Sequence, residues 1–322
     1  PNDDCKIHKK ILDVIDKLIM GIFIILIVAF VLTLGCEQQQ QIIDEEVKEV
    51  MEEQDITVEK DEGIDIGMTD EAFVAKIVES SLTLKTYTFD MEMVMDMQVE
   101  QMGQSQNSKL LSVGQGKFDQ ENKKAEIIME MTQDVGFGDQ EISSKVYIIG
   151  NDQYTFSDMT GWIKTPIEED LWDQQNQVQN QIDLLKGSEI QIVGEETING
   201  EDTFIVDLTP NIDELADIIQ NSQGGDEMVN YDWEDIIRSY DITQWISKET
   251  YYPIKSIQKM KMVMTPENLG VGDQLGGQDF EMVTDYEATV TIKETNIDMD
   301  IVLPAEAEDA VEYDNLQQFD IE

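Results

Sequence analysis

The sequence predicts an α+β protein built on one long, curved antiparallel β-sheet of about ten strands, with about three helices. Two observations predict this class. Apolar and polar residues alternate in several segments, and the longest such segment runs over residues 87–99. Between these segments, three stretches place apolar residues at helical spacing. Clean alternation is typical of antiparallel sheets with one buried and one solvated face.

The longest alternating segment sets the size of the sheet. From Tyr87 to Val99 every odd residue is apolar, and the even residues are polar except Val94. At about 3.4 Å per residue this strand spans ~44 Å, about twice the length of an ordinary strand. A strand of this length favours a strongly bent sheet or a barrel.

The remaining elements follow from the same patterns. Further strands are predicted over residues 109–118, 125–131, 146–149, 154–156, 204–208, 245–247, 254–264 and 282–292. Thr69 is expected to cap a first helix, whose apolar stripe runs from Phe73 to Leu82. Apolar residues between Ile167 and Leu185 predict a second helix, and a third is expected at about 211–222, after Pro210.

The charge balance excludes several classes of function. The chain has 69 acidic and 21 basic residues, a net charge of −48, and Arg238 is its one arginine. Such a surface repels phosphate backbones, so we expect no nucleic-acid partner. The acidic surface has two possible interpretations: it keeps the protein solvated in a salty exterior, or it collects cations. Residues 61–65 lack the spacing of an EF-hand calcium-binding loop.

Histidine and cysteine are confined to the first 36 residues, at Cys5, His8 and Cys36. Beyond Cys36 this excludes disulfides, thiolate or imidazole zinc sites, histidine-based triads and a cysteine nucleophile. We therefore expect no catalytic residues, no metal and no cofactor. An enzyme that uses carboxylates alone is the remaining catalytic alternative.

Four segments are expected along the chain: an extra N-terminal segment over residues 1–17, a membrane segment over 18–36, an acidic tether over 37–68 and one folded domain over 69–322. Residues 18–35 carry no charge, and Lys9, Lys10 and Lys17 precede them. This is the order of an export signal, and the run is also just long enough to span a bilayer.

The end of this segment resembles a bacterial or archaeal lipoprotein signal. Gly35 and Cys36 match its cleavage site, whereas Thr33 stands where that family prefers leucine. The resemblance implies that Cys36 is lipidated. The alternative is an uncleaved signal anchor. Under the positive-inside rule, either reading places the domain on the extracytoplasmic side of the cell membrane.

Four local features of the folded domain carry a second resemblance. They are a helix that runs into the long alternating strand (73–99), Gly161-Trp162 at a strand end, a hairpin (245–255), and a terminal strand (296–304) that closes on proline before a short acidic helix. Their order along residues 69–312 resembles the LolA/LppX-like superfamily of lipoproteins and lipoprotein carriers. The resemblance implies a half-open barrel with a hydrophobic cavity and non-covalent binding of lipid or another apolar molecule.

Methionine is concentrated on the predicted strands, which hold ten of the 17 methionines. Met is flexible and polarizable, so it suits a cavity that adapts to varied apolar shapes, although a methionine stripe is also ordinary core. The expected ligand-lining residues are Tyr87, Phe89, Met91, Met93, Met95, Met97, Ile127, Met129, Met131, Met260, Met262, Met282 and Tyr286.

Two functions remain open. The first is a membrane-anchored lipoprotein that binds lipid or an apolar small molecule; the second is a surface interaction or signal-modulating lipoprotein on the same fold without a cavity, with other envelope proteins as partners. Carriers that receive lipoproteins are free and soluble, so an anchored chain favours a resident lipid-binding protein. The glycine-rich stretch 270–277 is expected to be a hairpin loop or a lid, and Arg238 is expected to pair with a nearby aspartate.

Overall fold

The computed structural model describes residues 58–60, 64–101, 103–134, 139–158, 160–167, 172, 188–213, 215–216, 231, 233–269 and 280–312. The membrane segment with Cys36, most of the tether, most of the second predicted helix and the glycine-rich stretch 270–277 lie outside these residues. Within the described ranges, no helix combines the length and the apolar character that crossing a membrane requires.

Thirteen strands form one sheet in the described part of the chain. They are β1 (Val58–Lys60), β2 (Thr86–Gln101), β3 (Gln104–Asp119), β4 (Lys124–Asp134), β5 (Asp139–Ile149), β6 (Asp152–Ser157), β7 (Gly161–Pro166), β8 (Glu189–Ile198), β9 (Glu201–Thr209), β10 (Ile237–Ser247), β11 (Pro253–Met264), β12 (Phe280–Thr295) and β13 (Val311–Glu312).

Two meanders make up this sheet. Its order is β1-β8-β9-β10-β11-β12-β2-β3-β4-β5-β6-β7-β13, so β2–β7 and β8–β12 each run in chain order and meet where β12 pairs with β2. All pairs are antiparallel except the short edge pairs of β1 with β8 and β13 with β7, which are parallel. The order does not return on itself, so the sheet is open, which fits the half-open barrel that the resemblance implied.

The predicted long strand is confirmed as β2, with 16 residues. The strands β3 and β12 that flank it have the same length, and their ladders follow β2 from end to end. On the outer face, lysines pair with carboxylates, as between Lys293 and Asp90 at 2.7 Å and between Lys261 and Asp285 at 3.4 Å. Exposed pairs of this kind contribute about 0–1 kcal/mol each. The outer face is therefore solvated, and the inner face carries the core.

Strand β8 was not predicted, because its polar residues obscure the alternation. A local signal was nevertheless present. Asn199 and Gly200 join β8 to β9 with φ angles of 54° and 90°. Two successive positive φ angles match the right-handed twist of a hairpin, and Asn-Gly adopts them at low cost.

The described residues contain two α-helices rather than about three. Helix α1 (Asp70–Leu82) is confirmed with its cap, since the Thr69 hydroxyl accepts a hydrogen bond from the Ala72 N–H at 3.3 Å. Helix α2 (Trp233–Ile236) was not predicted. In the region of the third predicted helix, residues 212–213 and 215–216 are helical, and the remainder lies outside the described residues.

The terminal strand predicted over 296–304 is wrong. Asn296 has a φ of 52°, which turns the chain out of β12, and its side-chain carbonyl accepts a hydrogen bond from the Lys85 N–H at 2.8 Å. The Thr86 hydroxyl donates to the Ile297 carbonyl at 2.6 Å. These bonds hold the segment across the end of the sheet instead of within it, and the expected short helix follows as a 3-10 turn, Ala305–Ala307.

Candidate functional site

The inner face of the sheet divides into two apolar clusters along the strands. The methionine cluster surrounds Met93, Met95, Met97, Met260, Met262, Met264 and Met282, and helix α1 packs on it through Phe73 and Val74. The aromatic cluster contains Tyr87, Phe89, Phe118 and Trp172, together with aliphatic residues of β4, β5 and β12. Strand β2 contributes to both clusters, because its inward residues run from Tyr87 at one end to Met97 at the other.

The strand register aligns the methionines in rows across the sheet. Met95 of β2 lies opposite Tyr286 of β12, which lies opposite Met260 of β11. In the next row Met97 and Met262 flank Thr284 of β12. Strands β2 and β11 thus place methionines at equivalent inward positions on either side of β12, which contributes Tyr286 and Thr284 between them.

Glycines on β3 make room for the aromatic cluster. A Cβ added at Gly116 would lie 2.2 Å from Cζ of Phe89, and one added at Gly114 would lie 2.8 Å from Cγ of Met129. The side chains of the neighbouring strands therefore lie directly over the β3 backbone. A larger residue at either glycine would displace them.

All thirteen expected ligand-lining residues lie on this inner face. Eleven of them are buried, with exposed fractions from 1% to 9%. Met91 and Met131 are the exceptions and are partly exposed. Met91 packs against the aromatic cluster and Met131 against the methionine cluster, so the two accessible members lie where the clusters meet.

Polar residues at inward positions were missed by sequence reasoning. Ser256 and Gln258 of β11 and Ser112 of β3 are all buried. Gln258 receives a hydrogen bond from the buried hydroxyl of Tyr240 at 3.0 Å. The alternation does indicate their burial, because these three residues have even numbers. Apolar residues such as Met260 and Leu110 fill the other even positions of the same strands.

Two buried tyrosines carry perturbed hydroxyls. Burial raises the pKa of Tyr240 well above its usual value. Burial also raises the pKa of Tyr286, and the proximity of Tyr240 adds to the effect. A buried phenolate would lack solvation, so both groups stay neutral hydrogen-bonding groups at physiological pH.

The tryptophans and the arginine considered as binding residues have structural contacts within the chain. Trp172 is buried and donates from Nε1 to the Gly150 carbonyl at 2.7 Å, and Trp245 donates to Glu196 at 2.7 Å. Arg238 pairs with Asp235 at 3.9 Å, as expected. Within the described ranges, no group of three or more histidine, cysteine or acidic side chains is arranged to hold a metal ion.

Comparisons with solved structures return proteins of low identity. Lipoprotein LppX of Mycobacterium tuberculosis is 9% identical with a TM-score of 0.33, and the match covers 73% of this chain and 100% of LppX. A DUF1329 family protein from Desulfovibrio piger is 12% identical with a TM-score of 0.23, covering 72% and 94%. The MucA/MucB complex of Pseudomonas aeruginosa contributes a chain that is 11% identical with a TM-score of 0.26, covering 73% and 61%.

The structures found include lipoprotein LppX, a protein of the superfamily that the sequence resembles. Among curated proteins, none matches the sequence. One family model matches residues 69–312, which include helix α1 and the strands β2–β13. The chain therefore belongs to the family of unknown function DUF6612.

Proposed function

We propose that this chain is a membrane-anchored extracytoplasmic lipoprotein that binds lipid or another apolar ligand non-covalently on the inner face of its sheet. The observation that carries the proposal is the set of seven buried methionines that β2, β11 and β12 place on the inner face. Unbranched, polarizable side chains change rotamer at little cost, so a surface made of them accommodates ligands of different shape.

The junction between the two clusters is the point of access in this proposal. Met91 and Met131 are partly exposed there, while their neighbours Met93 and Met129 are buried. An apolar ligand that displaced water from these two side chains would extend the buried surface of both clusters. Each Å² of apolar surface removed from water contributes about 25 cal/mol.

The proposal is tested with the double substitution Met91→Asp and Met131→Asp. Both sites keep access to water, so the new carboxylates stay solvated and the domain is expected to fold. Binding of a pyrene-labelled alkane, measured by fluorescence titration, is expected to be lost, because the ligand would have to desolvate two charges. Val94→Asp, on the outer face of β2, is the matched control and is expected to bind normally. Unchanged affinity in the double variant would refute a ligand site at this junction.

Anchoring is proposed to occur through Cys36, after cleavage behind Gly35. The support is the uncharged run that ends at Gly-Cys before a polar, acidic segment. Cys36→Ser is expected to leave the precursor unprocessed or to release the domain from the membrane. Mass spectrometry and membrane fractionation check both results, and an unchanged mass with full membrane retention would contradict lipidation.

A second candidate is an interaction or signal-modulating module on the same fold. The observation that favours it is an apolar patch on the outer face of β3, where Leu111 is 42% and Val113 is 60% exposed. Solvent-facing apolar groups that adjoin one another can mark a protein contact. If this candidate holds, the double substitution Leu111→Ser and Val113→Ser would abolish the cellular role of the protein and leave alkane binding unchanged. If the protein acts through ligand binding, the same substitution would change neither.

A further inference from the structure

Three buried polar atoms on the inner face have no hydrogen-bond partner in the described structure: Ser112 Oγ, Ser256 Oγ and Gln258 Nε2. Their residues are only 2% or 3% exposed. A buried polar atom without a partner costs about 1–3 kcal/mol of desolvation, so such atoms are rare in native proteins and each requires an explanation. Three such atoms on one face of one sheet indicate a bound group that supplies their missing hydrogen bonds.

The three atoms lie close to one line across the strands. Gln258 of β11 lies opposite Ala288 of β12, which lies opposite Met93 of β2, which lies opposite Ser112 of β3. Three strand spacings separate Gln258 from Ser112, about 14 Å. Ser256 lies one row away on the same face of β11, about 7 Å from Gln258 along the strand. This line runs along the boundary between the methionine cluster and the aromatic cluster, next to Met91 and Met131.

Charge narrows the chemistry of the missing partner. No lysine or arginine is buried among the residues whose side chains the structure describes. The lysines that flank Gln258 on β11 point outward, where Lys259 pairs with Glu287 and Lys261 pairs with Asp285. A carboxylate or phosphate placed in this row would therefore be a buried charge without a counterion, which is strongly unfavourable.

The hydrogen-bonding capacity of the three residues further limits the chemical class of the missing partner. One amide atom of Gln258 is already engaged by the Tyr240 hydroxyl, and the remaining group is an N–H donor. The two serine hydroxyls can donate or accept. An acceptor oxygen, as in an ester or amide carbonyl, therefore satisfies all three groups.

Given the proposed function, on which this inference rests, we infer that Ser112, Ser256 and Gln258 form a polar contact row for an uncharged lipid that carries ester or amide carbonyls and lies across the strands from β11 to β3. The apolar parts of the ligand contact the two clusters, and its carbonyl oxygens accept hydrogen bonds from the row. The unpartnered atoms then contribute selectivity rather than only a cost.

The test compares three pyrene-labelled probes of equal chain length: an alkane, a fatty acid methyl ester and the free fatty acid. The wild-type chain is expected to bind the ester more tightly than the alkane, by roughly 2- to 10-fold for each hydrogen bond formed. The free acid is expected to bind most weakly at neutral pH, because the described part of the chain offers no buried cation to its carboxylate.

Substitutions assign the preference to the row. Ser112→Ala with Ser256→Ala is expected to remove the preference for the ester and to leave alkane affinity unchanged, without lowering the melting temperature, since only unpartnered atoms are deleted. Gln258→Met with Tyr240→Phe removes both ends of the buried hydrogen bond and is expected to act in the same direction. Ser105→Ala and Gln115→Met, on exposed positions of β3, are the matched controls.

The outcomes separate this inference from the proposed function. If the wild type binds the alkane and the ester equally, and the serine variants behave like it, the inference is overturned and ordered water completes these atoms. If the ester preference persists in both inner-face variants, the row is not the contact site. If the alkane itself does not bind, the proposed function fails, and this inference fails with it.

Discussion

The two ends of the inner face differ in the flexibility of the side chains that fill them. At the aromatic end, the rings of Tyr87 and Phe118 stack with centroids 5.2 Å apart, and Trp172 lies 5.3 Å from Phe118. The other end holds seven buried methionines beside ring pairs of its own, such as Phe73 with Phe204 at 5.6 Å and Tyr231 with Trp233 at 5.6 Å. Both ends therefore contain packed rings, and one of them adds flexible, unbranched side chains.

Hydrogen bonds hold loops beside both ends. Near the methionine end, Asn268 donates from Nδ2 to the Val263 carbonyl at 2.9 Å. Beside the aromatic end, the Tyr252 hydroxyl lies 2.6 Å from the Thr83 hydroxyl and accepts from the Asn296 side chain at 3.2 Å. These bonds join the loops that follow α1, β12 and the β10–β11 turn. Hydrogen-bonded loops therefore flank both ends, and what distinguishes the methionine end is the flexibility of its side chains. Substitutions at the two ends should therefore differ in cost.

The largest effect is expected from Phe118→Ala at the aromatic end. This change removes a buried ring that contacts both Tyr87 and Trp172. Large-to-small substitutions of buried aromatics cost about 3–5 kcal/mol, because a stiff surrounding collapses little into the space. Urea denaturation of the variant and the wild type measures the difference. A loss below about 1 kcal/mol would mean that the aromatic end is as adaptable as the methionine end.

Alkaline pH should act on the methionine end, through Tyr240 and Tyr286. Their pKa values are raised in the folded chain, so above pH ~10 the unfolded chain releases protons that the folded chain retains. Stability is therefore fully present below pH ~10 and falls as the pH rises, by up to about 1.4 kcal/mol per pH unit for each tyrosine.

The variant Tyr240→Phe with Tyr286→Phe isolates this contribution. Denaturation between pH 9 and 11 is expected to show a shallower loss in the variant than in the wild type. Equal slopes would show that these phenols are solvated in the folded chain.

The smallest effect is expected from Met95→Leu. Met95 is 1% exposed, yet Leu has a similar volume, and volume-conserving exchanges in a core usually cost less than about 1.5 kcal/mol. Denaturation tests the cost, and alkane titration tests the consequence, since a stiffer branched side chain should narrow the range of chain lengths that bind. A loss above 3 kcal/mol would indicate that methionine packs here as tightly as the aromatic rings.

Much of the fold could be predicted, because alternation directly reports which face of a strand is buried. The strand over 87–99, the helix after Thr69 and the turn at 119–123 are all present in the structure. Residues 296–304 were mistaken for a strand, because side-chain bonds from Asn296 and Thr86 compete with the ladder and leave no trace in the hydropathy pattern. Strand order was also beyond prediction, since nothing local announces that β12 pairs with β2.

The candidate site was predictable in its apolar part only. The methionines of β2, β11 and β12 follow from periodicity, and the register then aligns them. The role of Ser112, Ser256 and Gln258 could not be predicted, because a polar residue at an inward position of an alternating strand only weakens the pattern. Their significance depends on burial and on the lack of partners, and both are properties of the folded chain.

The pairing of β12 with β2 also governs the order in which the domain can be assembled. This ladder joins Gln101 to Phe280 and Tyr87 to Thr295, so the middle of the sheet is completed only after the last long strand has been synthesised. Until then, β2 and β11 both present long unpaired edges, which are templates for association with other chains. Distant pairings of this kind also slow folding. The net negative charge makes different chains repel one another, which slows their association while the two meanders of one chain pair through β12 and β2.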